Sequence, residues 1–424
     1  MKNRRSSFLN EVTEQIHSKE AKKYVTDELS YHLNEVKKAL MGKGLAEDEA
    51  EEKAIEQMGN PLILGQQLNK LHRPKVDWLM VILLTTTLCL GFLPLISLSE
   101  MDVKRLLIMK VIFVLFGGAA ALGIMMMDYR KWKKQGWLFY TIGTLILLMI
   151  RYFSNGIPTL IRIGPITIEN LMAIPFFFLA WASFFDNRRL KVWHIAVLFL
   201  PSAYLFFSVP SISTVYIYIV MVFVMMWWSK LSRKRILTIS ALAVGTCVIS
   251  GLMFWQVLKI HQKDRMLAFF NPEKYANSAG YMVLRAKELI SKAGWFGNFS
   301  NKEMIPDSHT NFVMVNFTYY YGWLFAIALL IILSLFIARI VVVISRVKDP
   351  YGKLLLIGAL ALYAVQLISN IGMMLGFFPI TTMPLPFISY GMMPILLNAI
   401  LIGVILSVYR RKDLLSSHLI LDGK

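Results

Sequence analysis

Asp307, His309 and Asn311 fall within one short stretch, IPDSHTNF, at the end of a loop that also holds Arg265 and Arg285. A carboxylate or an imidazole in such a place can take a proton from a hydroxyl group. An amide can orient the hydroxyl but not deprotonate it, and guanidinium groups can hold an anion through charge-assisted hydrogen bonds. The four-residue spacing puts Asp307 and Asn311 on one face if the turn after Pro306 is helical. Each residue also has a plainer reading. Asp307 could cap the next helix, His309 could be a polar residue at a helix end, and the two arginines could sit in loop salt bridges.

The loop 259–311 carries eight basic residues against five acidic ones. Such an excess suits an anionic ligand, most simply the pyrophosphate of a lipid-linked substrate; the alternative is an amphipathic helix resting on lipid headgroups. A second stretch, FFPITTMPLPFISYG from Phe377 to Gly391, has three prolines and no charge between two apolar runs. Proline cannot continue a helix, and backbone at membrane depth must find partners within the protein. This segment is therefore expected to be a buried turn lining a cavity, with Pro384, Pro386, Ser389, Tyr390 and Gly391 as wall residues.

The elements that position these residues belong to a membrane. Of 424 residues, 56% are hydrophobic and 17% charged, with a mean hydropathy of +0.56, whereas a soluble chain carries nearer a quarter charged. The formal charge of +19 does not indicate nucleic acid, because residues 1–75 are nearly balanced and the membrane half holds almost all the excess. Cys89 and Cys247 both lie in apolar runs, so neither a disulfide framework nor a thiolate metal site is expected. The polar start is not expected to be a cleavable signal peptide.

Runs long enough to span fall near 78–98, 106–127, 137–153, 169–185, 192–208, 211–228, 236–258, 312–344, 353–376 and 388–409, which predicts about ten transmembrane helices. Pro201 leaves the fifth and sixth least secure. Basic connections, such as Arg130–Lys134, Lys230–Arg235 and Arg410–Lys412, alternate with connections that are not, so the positive-inside rule puts both termini in the cytoplasm. The fold class expected is all-α: a polytopic membrane domain over 76–412, a large extracellular loop over 259–311, a helical domain over 1–75 and a cytoplasmic tail over 413–424. In the first 75 residues the apolar spacing predicts helices over 11–38, 45–58 and 61–71.

Outward carboxylates are then few: Glu100, Asp102, Glu169, Asp264, Glu273, Glu288, Glu303 and Asp307. Glu169 stands at the start of a span, where an ionisable group needs a use or a partner such as Arg162 or Arg265.

Two resemblances add to this reading. KEAKKYVTDELSYHLNEV, KGLAEDEAEEKAIEQMGNP and LGQQLNKLHRPKVDW resemble the small helical prefix domain (HAAS) found ahead of bacterial permeases and sensors, which implies docking or regulation; the alternative is a solubilising cytoplasmic cap without a partner. PLPFISYG at 384–391 resembles the signature of the SEDS family (shape, elongation, division and sporulation), the RodA/FtsW/SpoVE-like proteins. SNGIPTLIRIGPITIENL, VPSISTVYIYIV, and DRMLAFFNPEKYANSAGY with AGWFGN and IPDSHTNF follow in the family's blocks over 76–412.

The SEDS resemblance implies a peptidoglycan glycosyltransferase that polymerises lipid-linked disaccharide-pentapeptide, lipid II, in growth, division or sporulation, with a class B penicillin-binding transpeptidase as partner. No cofactor of its own is implied, although a divalent cation, Mg or Mn, could accompany the pyrophosphate. The family's essential Asp corresponds to Asn311, its neighbouring Glu to Asp307 and its His to His309. Further departures are Ser211, Met172, Thr318–Tyr321 and Met392-Met393. They leave open a non-catalytic scaffold or regulator of a transpeptidase. A lipid-linked substrate transporter shares the architecture, but the spans hold too few charges to suggest a coupled pump.

Overall fold

The computed structural model describes residues 2–96, 103–154, 160–163, 166–187, 191–209, 211–241, 245, 260–278, 280–298, 308–379 and 383–414. Two compact units emerge, one of residues 1–77 with 409–424 and the other of 78–408.

The first unit is built from α1 (Lys2–Glu14), α2 (Lys19–Met41), α3 (Glu47–Gln57) and α4 (Pro61–His72). Its core joins Phe8, Val12 and Ile16 to Val25, Leu29 and Leu33, and Leu414 completes it. The helix expected over 11–38 is two helices. Ser18 caps α2 by accepting from the Ala21 N–H at 3.4 Å. The apolar period misses the break because Val12, Ile16 and Val25 enter the same core on both sides of it. Asn60 caps α4, with Pro61 in its first turn.

In the second unit, α5 (Trp78–Leu90) and α6 (Leu93–Ile96) form one interrupted span, followed by α7 (Val103–Met126) and α8 (Gly136–Phe153). Next comes a hairpin of β1 (Leu160–Ile163) and β2 (Ile166–Glu169), which pairs Leu160 with Glu169. The helices α9 (Ala173–Asp186), α10 (Val192–Ser208) and α11 (Ile212–Trp227) come after it. A helix described over 233–241 (α12) leads on to α13 (Ile260–Phe270), α14 (Tyr281–Lys292), α15 (Val313–Arg346), α16 (Pro350–Met374) and α17 (Met392–Arg410).

Among the described residues, six helices are long and apolar enough to cross a membrane, and three shorter apolar helices accompany them. The seventh expected span, 236–258, lies mostly outside the described residues. Pro201 does not divide the fifth span, because α10 runs through it. The hydroxyls of Ser202 and Tyr140 both donate to the Leu198 carbonyl in the turn before the proline. The last span starts at Met392 rather than 388, because 388–391 complete the proline-rich turn. On α7 and α8, Leu115, Phe116, Tyr152 and Phe153 are exposed, as lipid-facing side chains would be, whereas α16 is buried along most of its length.

Candidate active site

The described residues of the proline-rich turn and of the IPDSHTNF stretch, 383–391 and 308–312, are joined. Residues 308–312 are in turns, and α15 begins only at Val313, so the helical spacing expected from Asp307 to Asn311 does not extend through the described part of the stretch. Three hydrogen bonds fasten this segment to 383–391 or to the helix before it. The Tyr390 N–H donates to the His309 carbonyl at 2.7 Å, the Ser389 hydroxyl to the Thr310 carbonyl at 2.6 Å, and Asn370 Nδ2 to the Asn311 carbonyl at 3.0 Å.

Ser389 also accepts from the Leu385 N–H at 2.8 Å, and Asn370 Nδ2 donates to the Met383 carbonyl at 2.7 Å. Asn370 and Ser389 are buried, while His309, Thr310, Asn311, Tyr390 and Gly391 are half-buried. The result is a rigid floor under a partly open rim. Phe387, inside the turn, adopts φ 63°, a conformation an aromatic residue keeps only when its surroundings hold it there.

A buried lysine supports the far side. Lys110 of α7 has no exposed surface, and its Nζ donates to the carbonyls of Gly91 and Ile388, each at 2.6 Å. Gly91 marks the interruption between α5 and α6. A Cβ there would stand 3.0 Å from Lys110 Nζ and 3.1 Å from the Phe387 carbonyl, so the close approach of the turn favours glycine.

The rim is aromatic. The rings of His309 and Tyr390 meet edge to face with centroids 5.5 Å apart, and Phe113 packs on Tyr390 at 5.7 Å. Burial pushes the Tyr390 phenol up, and the Arg105 guanidinium pulls it partly back, which puts an exposed arginine within electrostatic reach of the rim.

The other expected site residues are placed as follows. Glu169 ends the hairpin, half-buried, and its carboxyl is pushed above the usual range by burial. The side chains of its proposed partners, Arg162 and Arg265, lie outside the described residues, as does Asp307. Arg285 is ion-paired with Glu288 at 2.8 Å on α14, and Lys292 reaches the same carboxylate at 2.6 Å, so both cations hold Glu288 below the usual range. Pro384 and Pro386 lie in the turn, Pro384 half-buried and Pro386 buried. Among the described residues, no group of three His, Cys, Asp or Glu side chains could hold a metal ion.

Lys110, Asn370 and Arg105 were absent from the candidates drawn from sequence. Lys110 did carry a signal, since it is a lone charge within an apolar run, where ionisable groups are costly. Nothing local marks Asn370.

The arrangement can bind a polyhydroxylated, anionic ligand by stacking on Tyr390, hydrogen bonding to Asn311 and His309, and charge from Arg105. In a sugar transfer the acceptor oxygen forms a bond to the anomeric carbon, the bond to the leaving pyrophosphate breaks, and the hydroxyl proton passes to a base. Asn311 cannot be that base.

Comparison with known proteins agrees with this architecture. The family profile of FtsW, RodA and SpoVE, described as "Cell cycle protein", matches residues 77–414. The probable peptidoglycan glycosyltransferase FtsW of Idiomarina loihiensis is 25% identical over 82% of this chain and 90% of its own. FtsW of Bacillus subtilis is 28% identical over 67% and 76%. Among solved structures, a chain from a peptidoglycan synthase complex that coordinates polymerisation and crosslinking superposes with a TM-score of 0.69 at 24% identity, covering 80% of this chain and 98% of that one. RodA of Thermus thermophilus superposes with a TM-score of 0.59 at 22% identity, over 80% and 97%. At those identities the likeness shows the fold.

Proposed function

The chain belongs to the FtsW/RodA/SpoVE family of cell cycle proteins, multi-pass membrane proteins of cell-wall assembly, and from that premise we propose that it binds lipid-linked disaccharide-pentapeptide at the 309–311 and 389–391 rim. The observation that carries this reading is the intact frame. Ser389, Asn370 and the Tyr390 N–H hold the 309–311 backbone in place, although Asn311, which the resemblance aligns with the family's acid, is an amide. A frame so fully hydrogen-bonded keeps its shape without the carboxylate.

In this reading Tyr390 and Asn311 hold the sugar, and Arg105, joined by Arg265 and by Arg285 when it is released from Glu288, faces the pyrophosphate. Polymerisation by the chain itself then depends on Asp307 or His309 as proton acceptor. A divalent cation, if used, arrives with the pyrophosphate. The relatives' activity as peptidoglycan glycosyltransferases supports this enzymatic form, with a crosslinking transpeptidase as partner. Both termini are assigned to the cytoplasm on the charge of the connecting loops.

Purified protein with labelled lipid II tests the reading. Binding is expected in the wild type, and glycan strands are expected to increase in Asn311→Asp. Strands made by wild type and lost in Asp307→Ala would identify Asp307 as the acid in use. Strands only in Asn311→Asp would mark a binding scaffold. Absence of both binding and product in all three proteins would overturn the proposal.

A further inference from the structure

The first unit carries a cleft that the cell-wall reading does not use. Its volume is about 710 Å3, and its walls come from the bend between α1 and α2 (His17, Ser18 and Lys19), from the end of α4 (Asn69 and Arg73) and from Arg410. The lining is cationic without compensation. Among the described residues Lys19, Arg73 and Arg410 make no ion pair, and the Nε of Arg410 is buried without a hydrogen-bond acceptor. The carboxylate in the wall, Glu20, is already matched, since Arg411, 1% exposed, holds its two oxygens at 2.9 and 2.7 Å.

The neutral groups also present donors. Asn69 Oδ1 accepts from the His17 N–H at 3.2 Å, which leaves the amide hydrogens of Asn69 to donate, and the Ser18 oxygen is occupied by the Ala21 N–H, which leaves its hydroxyl proton. The first turn of the 23-residue helix α2 opens on the same space and adds the partial positive charge of a helix start.

We propose that this cleft is a binding site for a phosphate-bearing ligand. Arg410, Arg73 and Lys19 supply the charge, and Ser18 and Asn69 supply the orienting donors. The volume leaves room for a phosphate carried on a larger group. Two sources share this chemistry, a phospholipid headgroup and a soluble phosphorylated metabolite. Arg410 is the last residue of an apolar 19-residue helix, a position from which a long basic side chain can meet a headgroup phosphate. The site is independent of events at the 309–311 rim, so its failure would leave the cell-wall reading untouched.

The test uses full-length protein in phosphatidylcholine nanodiscs and follows amide hydrogen exchange at 17–21 and 69–74. One arm adds phosphatidylglycerol to the disc, and the other adds inorganic pyrophosphate to the solution. Exchange in these two segments is expected to slow by about threefold or more with one probe, and not in Lys19→Gln/Arg73→Gln. Both substituted residues are exposed, so the core is undisturbed, and unchanged exchange in α3 verifies the fold. Arg73→Lys is expected to retain the response. Slowing with phosphatidylglycerol alone assigns a lipid headgroup, and slowing with pyrophosphate in phosphatidylcholine assigns a soluble ligand. No slowing with either probe, equal slowing in the double variant, or equal slowing in α3 overturns the site.

Discussion

Lys110 and Ile388 are 278 residues apart in sequence, yet the Lys110 Nζ donates to the Ile388 carbonyl at 2.6 Å, with no water-exposed surface on the lysine. The same nitrogen holds the Gly91 carbonyl, so one ammonium group joins the break in the first span to the turn behind the rim. Lys110→Met preserves length and removes the donor. Two buried carbonyls then lose their donor, at a cost of about 2–4 kcal/mol. Thermal unfolding in detergent should show it, with Lys110→Arg recovering part of the loss. An unchanged midpoint in Lys110→Met would remove the lysine from the frame.

Ser389 and Asn370 act on the same backbone from different elements. Each single change to Ala should cost about 1–3 kcal/mol, since each leaves buried backbone groups unpaired. Because both restrain 310–311, the double variant should depart from additivity by about 0.5 kcal/mol or more. A double-mutant cycle on unfolding free energies reads this directly, and strict additivity would argue for two separate anchors.

Glu169 gives a pH dependence. Burial raises its carboxyl in the folded protein above the ordinary value of about 4.3. The unfolded chain therefore releases this proton at lower pH than the folded one. Between the two values the native state binds more protons, and its stability falls as pH rises, with the loss complete above the folded value. Glu169→Gln lacks that term. The unfolding temperature of the variant minus that of wild type should grow from about pH 4 to about pH 7, and a constant difference would contradict the assignment.

Gly322 interrupts α15 at φ 87°. A Cβ there would lie 2.3 Å from the Trp295 carbonyl, and one at Gly297, the residue it faces, would lie 2.3 Å from the Tyr320 carbonyl. Gly322→Ala combines that collision with left-handed backbone and should cost about 3 kcal/mol or more. Exchange at Asn298, Trp323 and Leu324 should rise with it, because their amides donate across this contact to the Tyr319, Gly294 and Trp295 carbonyls.

Much of this protein was legible in its residues because lipid enforces simple rules. Apolar runs of the required length became helices near their expected limits, as for α10 and α11. The family blocks brought PLPFISYG and SHTNF into one fold. The pairing of those blocks was less visible, because it runs through backbone carbonyls and the buried amide of Asn370, which leave no pattern in residue types. The hairpin over 160–169 was also missed, since Arg162 and the nearby Gly164-Pro165 read as an open connection. Arg285 illustrates a limit of charge counting, because its partner Glu288 sits one helical turn away and neutralises it locally.

The interruption at Gly322 also sets a height. The 323–346 portion of α15 measures about 36 Å at 1.5 Å per residue, enough to cross a hydrocarbon layer of about 30 Å unaided. The preceding turns, 313–320, are buried on every side, unlike the lipid-facing stretch that follows. They are therefore surplus to the crossing and serve as a pedestal. Shortening or lengthening that pedestal would raise or lower Asn311 against the bilayer surface, and with it the depth at which a lipid-tethered sugar could be met.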